Sequence, residues 1–537
     1  MRDPSDGLLD LSIAPEATRR GAVARTGRTI RVSRARHPRI ERSAHATEKT
    51  HIARFTSRLE HWPSPQGRGM GTSTSPSTPA APARPPPAGR GGARIDRLAG
   101  PSEEQFLRLD CIGNFNSMIA AELQGRVTEP ELRRALDRVQ AHHPMLGVRA
   151  LPDGDGLRLT SSGVGPIPLR VIELPVEAWI AEAEREMATN LPEAGPLIRC
   201  VLIRHATDHG RLLLTFNHGI ADGQSNLIVV RDVVRLLGDE QAALPDRGEP
   251  SGSPIERHVP AGHGWGKLVG STLRQVARWI RIGKPALLGP DRVPDPGTRG
   301  RHLMVHELAP AELARLLAAC KRERTTVTGA LGAALLVALR EEQRRARSVI
   351  LTFDARRMLE PPVGPDEVGL FAGVAVSTQR IDDRARLWPL AREVRADLRE
   401  AIARREPLAS LKMVGLFLSR LRKLARKGAR GTAEIEAMYD RASLGTALLG
   451  NLGVVAPLPP SRQVALRSLA SFVTPLGRVA LYSVAVTYGD RLAWTFIGRT
   501  PLLRPERAER LAARALEILR AGIADPGAEP AAAGAAV

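Results

Sequence analysis

The segment Asn217-His218-Gly219-Ile220-Ala221-Asp222-Gly223 sets a histidine four residues before an aspartate, with a glycine directly after it. A histidine can take a proton from a hydroxyl or an amine near neutral pH, because its unperturbed pKa of about 6.5 lies close to that range. His218 is therefore the candidate general base. Asp222 is not a second base; one loop turn away, its carboxylate is suited to fixing the loop by pairing with an arginine. Gly223 permits a tight turn and a close backbone approach, and a helix N-terminus after it would offer backbone donors. By composition alone His-x-x-x-Asp-Gly turns up in roughly one chain in twenty of this length, so its surroundings have to carry its meaning.

Those surroundings read as a strand–loop–helix junction. Leu197–His205 and Arg211–His218 are apolar runs around Ala206–Gly210, a hairpin whose second strand runs into the motif. After Gly223, Leu227, Val230, Val234 and Leu237 keep helical spacing. Upstream, Asn116–Leu123 reads as a strand. Thr128 and Glu131 form a capping-box pair, followed by the apolar face Leu132, Ala135, Leu136 and Val139, and Pro144 stops that helix. Val148–Leu159 alternates around Asp153-Gly154-Asp155-Gly156, a second hairpin signal.

The second half reads similarly. A strand at His302–Glu307 is followed by helices from Pro310 to Arg322 and from Thr328 to Arg345, then a strand at Ser348–Phe353. Two more helices follow, one of them basic over Ser419–Arg430. Strands near Leu448–Val455, Val479–Thr487 and Arg491–Ile497 precede a closing helix from Pro505 to Ala521. There is no internal repeat, yet two α+β halves of similar length emerge.

The implied organisation is a basic tail over 1–97, a first subdomain over 98–262 bearing the motif, a crossover over 263–300, a second subdomain over 301–524, and a mobile tail over 525–537. Ser64–Arg94 is nearly pure Ser, Thr, Pro, Gly, Ala and Arg, which buries too little surface to offset its ordering entropy. Met70 is a candidate start. Within the crossover, Lys267–Lys284 is amphipathic: Val269, Leu273, Val276 and Ile280 share a face, and Arg274, Arg278, Arg281 and Lys284 supply charge. Two readings stand for it, a membrane-surface helix and a helix packed on the protein with a solvated basic face.

With 537 residues, 43% of them apolar, the chain can build a large core. Its net charge is +21, about half of it in the first hundred residues. No zinc finger, helix-turn-helix or RNA-binding aromatic motif accompanies that charge, so no specific nucleic-acid partner is expected. Cys111, Cys200 and Cys320 are odd in number and scattered, which argues against a disulfide framework or a metal site. The N-terminus lacks the apolar stretch of a signal peptide. The longest apolar run, Val327–Leu339, is too short to span a bilayer, so a cytoplasmic protein is expected.

At several ordered points the chain resembles the condensation-domain and chloramphenicol-acetyltransferase-like acyltransferase superfamily. His142-His143-Pro144-Met145-Leu146-Gly147-Val148-Arg149 is similar to its RHPxLR element, and Asn217–Ser225 to its HHxxxDGxS loop. Val368-Gly369-Leu370-Phe371 is similar to VGxFxN, and Gly450-Asn451-Leu452-Gly453 to the SNLG of polyketide-associated and alcohol acyltransferases. Three departures stand out: Asn217 replaces the first histidine, Ala372-Gly373 follow Phe371 in place of the Asn-bearing continuation, and no Asp-Phe-Gly-Trp-Gly of the plant branch occurs.

The resemblance implies an α+β fold of two chloramphenicol-acetyltransferase-like αβ sandwich subdomains, forming a V with the active-site tunnel at their interface and His218 midway. It implies a stand-alone, monomeric acyltransferase with no bound cofactor or metal. An acyl-CoA or phosphopantetheinyl thioester on an acyl carrier protein is the co-substrate, and the acceptor is a small molecule or a lipid, with peripheral membrane contact in the latter case. Arg356 and Arg357 are candidate partners for Asp222. Asn451 either helps hold the oxyanion or forms a turn, and Ser225 either donates to the oxyanion or begins the helix. The alternative is a non-catalytic condensation-like module that binds a carrier protein.

Overall fold

A computed structural model describes residues 94–524 except 111–113, 246–251, 264, 294–299, 342–345, 383–384, 443–444 and 459–462. Most of the basic tail, Cys111 and the 525–537 tail thus lie outside the described residues. Fourteen strands are described: β1 (Asp96–Leu98), β2 (Asn116–Gln124), β3 (Arg149–Asp153), β4 (Gly156–Thr160), β5 (Leu169–Glu173), β6 (Ile198–Ala206), β7 (His209–Asn217), β8 (Gly300–Leu308), β9 (Ala346–Asp354), β10 (Ala372–Arg380), β11 (Ala447–Val455), β12 (Ala465–Val473), β13 (Leu481–Tyr488) and β14 (Arg491–Thr500). The helices are α1 (Pro101–Leu109), α2 (Glu129–His142), α3 (Trp179–Ala188), α4 (Gly223–Gly238), α5 (Trp265–Ile282), α6 (Pro310–Arg322), α7 (Val327–Ala338), α8 (Leu387–Ala403), α9 (Glu406–Ala425), α10 (Ala429–Ala442) and α11 (Pro505–Ala524).

The motif's sheet has the order β12-β2-β7-β6-β5. Its centre is the β6–β7 hairpin, and β2 lies antiparallel to β7 with Asn116 opposite Asn217. β2 and β7 are buried on both faces, so they read as continuous apolar runs. The second sheet has the order β10-β9-β11-β13-β14-β8, with β9, β11 and β13 mutually parallel. The connection from β11 to β13 leaves this sheet: β12 runs across to become the edge of the first one, antiparallel to β2. Val464, Leu466 and Leu469 consequently pack in the first half's core with Leu123 and Leu212.

Local rules account for the helix that sets the motif's flank. Thr128 caps α2, its side chain accepting from the Glu131 N–H while the Glu131 carboxylate accepts from the Thr128 N–H at 2.9 Å. At its other end His143 bonds Asp232 on α4 at 2.9 Å, both groups buried. That contact explains the His-Pro element as a strut between α2 and α4.

Helix α5 settles the open choice about its faces. The chain buries Leu268 and half-buries Gln275 and Trp279, whereas Val269, Leu273, Val276 and Ile280 point outward. Arg274 and Arg278 turn to the protein, pairing with Glu406 on α9 and with Asp397 on α8. The helix packs on the protein and Arg274, Arg281 and Lys284 stay exposed, as one reading expects, but the apolar face expected to be the packed one points outward. Amphipathic periodicity reports that two faces differ, and two half-buried acids on the neighbouring helices pair with the arginines. Among the described residues no helix is long and apolar enough to cross a membrane. Cys200 and Cys320 are free and buried, and burial pushes both thiols up, that of Cys320 to about 12.

Candidate active site

β7 ends at Asn217, so His218 opens the loop that leads into α4. Its backbone N–H donates to the Phe115 carbonyl at 3.0 Å, which ties the loop to the start of β2. Its Nδ1 lies 2.9 Å from the Ala221 carbonyl oxygen. A carbonyl only accepts, so the neutral ring carries its proton on Nδ1 and its lone pair on Nε2. Nε2 has no hydrogen-bond partner among the described residues, and the side chain stays partly open. The ring leans on Phe106 and Phe115, with centroids 5.1 and 5.6 Å away, and these two phenyl rings stack on each other. Burial pushes the imidazole below its ordinary value, only partly offset by the Ala221 carbonyl and the Asp222 charge.

Asn217 takes a structural part. Its amide donates to Asp110, and its Oδ1 accepts from the Gly219 N–H at 2.8 Å. Asp110 also accepts from the Phe115 N–H at 2.8 Å. Burial lifts its carboxyl to about 6 against the opposing pull of the Phe115 N–H, Asn217 and Arg301.

Asp222 is fully committed. It caps α4 by accepting from the Ser225 N–H at 2.8 Å. Arg356 reaches it with both terminal nitrogens, at 3.0 and 3.2 Å, and the Phe371 N–H donates at 2.9 Å. Burial works to raise this carboxyl, but the Arg356 charge and the three sets of donors outweigh it and hold it below the usual range. Arg356 is only 2% exposed; it also bonds Asp354, the Ser225 hydroxyl and the Glu367 carbonyl, and lies over the Phe371 ring. Arg357, one residue on in the same 3-10 turn, is exposed and does not reach Asp222.

The other two candidates, Ser225 and Asn451, both take part in hydrogen bonds within the protein. Ser225 is fully buried; its hydroxyl donates to the Gly369 carbonyl at 2.8 Å and accepts from the Gly369 N–H and from Arg356. Asn451 donates to Thr328 at 2.9 Å, and its Oδ1 accepts from the Gly453 N–H at 3.0 Å, where Gly453 has φ +79°. Asn451 thereby shapes an irregularity in β11. That irregularity presents Leu452 to the motif: its carbonyl accepts from Gln224, and its side chain covers Gly223.

Gly223 is required for that contact and not for a left-handed backbone. A Cβ there would stand 2.5 Å from Leu452 Cδ2. Gly223→Ala is expected to cost about 1–3 kcal/mol, and Leu452→Ala in the same chain should recover part of the loss. Urea unfolding of both single variants and the double variant measures the coupling; strict additivity would refute the contact.

Sequence reasoning missed Phe106, Phe115 and Asp110. No motif marks them, although Phe115 directly precedes the strand that pairs with β7. It did single out the Val368–Phe371 element, whose backbone proves to be the receptor for Asp222 and Ser225 from the other half of the chain.

Residues 301–480 match the family model of the phthiocerol/phthiodiolone dimycocerosyl transferase C-terminus. Among curated proteins, the chain is similar to chondramide synthase cmdD of Chondromyces crocatus, 29% identical over 148 residues, and to phosphinothricin tripeptide synthetase PhsC of Streptomyces viridochromogenes, 26% identical over 316 residues. Those alignments cover 26% and 54% of this chain but only 4% and 28% of the two synthetases. Among solved structures, the trichothecene 15-O-acetyltransferase TRI3 of Fusarium sporotrichioides aligns over 80% of this chain and 95% of its own, at 14% identity and a TM-score of 0.61.

Proposed function

We propose that this chain, whose residues 301–480 match a transferase family model and whose fold is similar to that of an O-acetyltransferase, moves an acyl group from a CoA or carrier-protein thioester to a hydroxyl or amine. The reading rests above all on the His218 ring, whose Nδ1 is fixed by the Ala221 carbonyl while Nε2 stays free. Nε2 takes the acceptor's proton as its oxygen or nitrogen attacks the thioester carbonyl. The tetrahedral adduct then expels the thiolate, which collects that proton from the imidazolium. No covalent enzyme intermediate is needed. The acetyltransferase neighbour and the matched transferase family support acyl transfer, and the synthetase relatives support a carrier-bound donor. The donor's phosphates suit a chain of net charge +21.

Incubating the protein with mixed acyl-CoAs and a metabolite and lipid extract, then searching by mass spectrometry for acylated products, tests the reading. Thioester binding without product would favour the carrier-binding alternative. The pH profile gives a second test. A histidine held below 6.5 is neutral at pH 7, so activity is full there and falls only as pH drops through the lowered value. The acid limb of kcat/KM should therefore inflect below pH 6.5; an inflection above that value would contradict His218 as the base.

A further inference from the structure

Among the described residues, the outer face of α5 gathers the largest share of exposed large apolar side chains. Val269, Leu273, Val276 and Ile280 are 54%, 63%, 41% and 82% exposed. At 3.6 residues per turn these four fall within an arc of about 60°. They make up four of the eleven large apolar side chains exposed among the described residues. A soluble helix of this kind turns its stripe inward, and here the inward side is occupied by Leu268, Gln275, Trp279 and the Arg278–Asp397 pair.

Charge indicates what covers the stripe. α5 has no acidic residue. Arg281 lies beside the stripe at the helix's C-terminal turn, about 80° round from its edge, and Lys284 follows the helix; both are exposed and have no acidic partner among the described residues. The neighbouring α9 packs against α5 and exposes Leu416 between Lys412 and Lys423, again without acidic partners. Apolar side chains beside a cationic helix end and a lysine-edged neighbouring helix match the depth profile of a bilayer surface, where acyl chains lie below anionic headgroups.

We propose that the outer face of α5, with the exposed edge of α9, docks the protein on anionic membrane surfaces. This is a statement about a partner and holds independently of the acyl-transfer reading. The full chain should sediment with vesicles of phosphatidylcholine mixed with phosphatidylglycerol, and far less with phosphatidylcholine alone. Leu273→Glu/Ile280→Glu should lower vesicle binding by about tenfold or more. Arg281→Glu/Lys284→Glu should also lower it and flatten its salt dependence. All four positions point outward, so the unfolding midpoints should match wild type, and turnover of a water-soluble acceptor should be unchanged. Unaltered vesicle binding in both variants would place the contact elsewhere and overturn the proposal. So would a wild-type dimer that Ile280→Glu converts to monomer, since the stripe would then belong to a second copy.

Discussion

His218→Ala lowers acyl transfer by about 10²–10⁴-fold, the usual contribution of a positioned proton acceptor, and leaves the fold in place. The ring donates one hydrogen bond, to Ala221, and otherwise rests on Phe106 and Phe115 at a partly open position. Its removal strands no charge, and the Ala221 carbonyl loses a bond worth about 1 kcal/mol net. The loss should fall on kcat with KM little changed, because proton removal belongs to the transition state. Thiol release from an acyl-thioester, followed with a fixed acceptor, measures both constants, and circular dichroism checks the fold. Wild-type turnover in the variant would end the assignment of His218 as base.

Arg356→Met produces the largest stability loss expected at the site, about 3–5 kcal/mol at neutral pH, because it leaves the buried Asp222 carboxylate without its counter-charge. The linkage sign follows from the direction of the shift. In the wild type Asp222 lies below its ordinary value of 3.8, so the pair's stabilisation is present above that value and is lost only as pH falls through the lowered folded one. In the variant, burial acts unopposed by the arginine and pushes the carboxyl upward, which penalises the folded state at neutral pH. The gap in urea midpoint between wild type and variant should therefore narrow as pH falls through the carboxylate range. Asp222→Asn added to Arg356→Met should cost less than the sum of the two single changes. A gap that is independent of pH would mean that packing over Phe371, and not charge, carries the cost.

The junction at the motif was legible because its elements are local. The β6–β7 hairpin, the helix after Gly223 and the Thr128–Glu131 cap each follow from contiguous residues. What joins them was not legible. Asp222 lies 134 residues from Arg356, and no periodicity separates Arg356 from Arg357; a single 3-10 turn buries one and exposes the other. Asn451 and Ser225 each carry groups able to hold an oxyanion, and only three-dimensional neighbours show that these side chains also bond Thr328, Gly453 and Gly369. β10 and β12 escaped notice because their mixed runs of small and polar residues lack a strong alternating pattern. For α5 the faces were legible and their orientation was not, since that depends on Glu406 and Asp397 far along the chain.

The passage of β12 into the sheet of the other half has a consequence for biosynthesis. Ser468 on β12 bonds Glu122 on β2 across 346 residues. At about 5–20 residues per second, a ribosome needs roughly 20–70 s between making β2 and making its outer neighbour. During that interval β2 holds β7 on one side and shows a bare row of N–H and C=O groups on the other, a surface that invites pairing with another nascent chain. A fragment that stops before residue 465 would keep that exposed edge permanently, so the half of the molecule that carries His218 should aggregate when produced alone and become well behaved when the later half is supplied beside it.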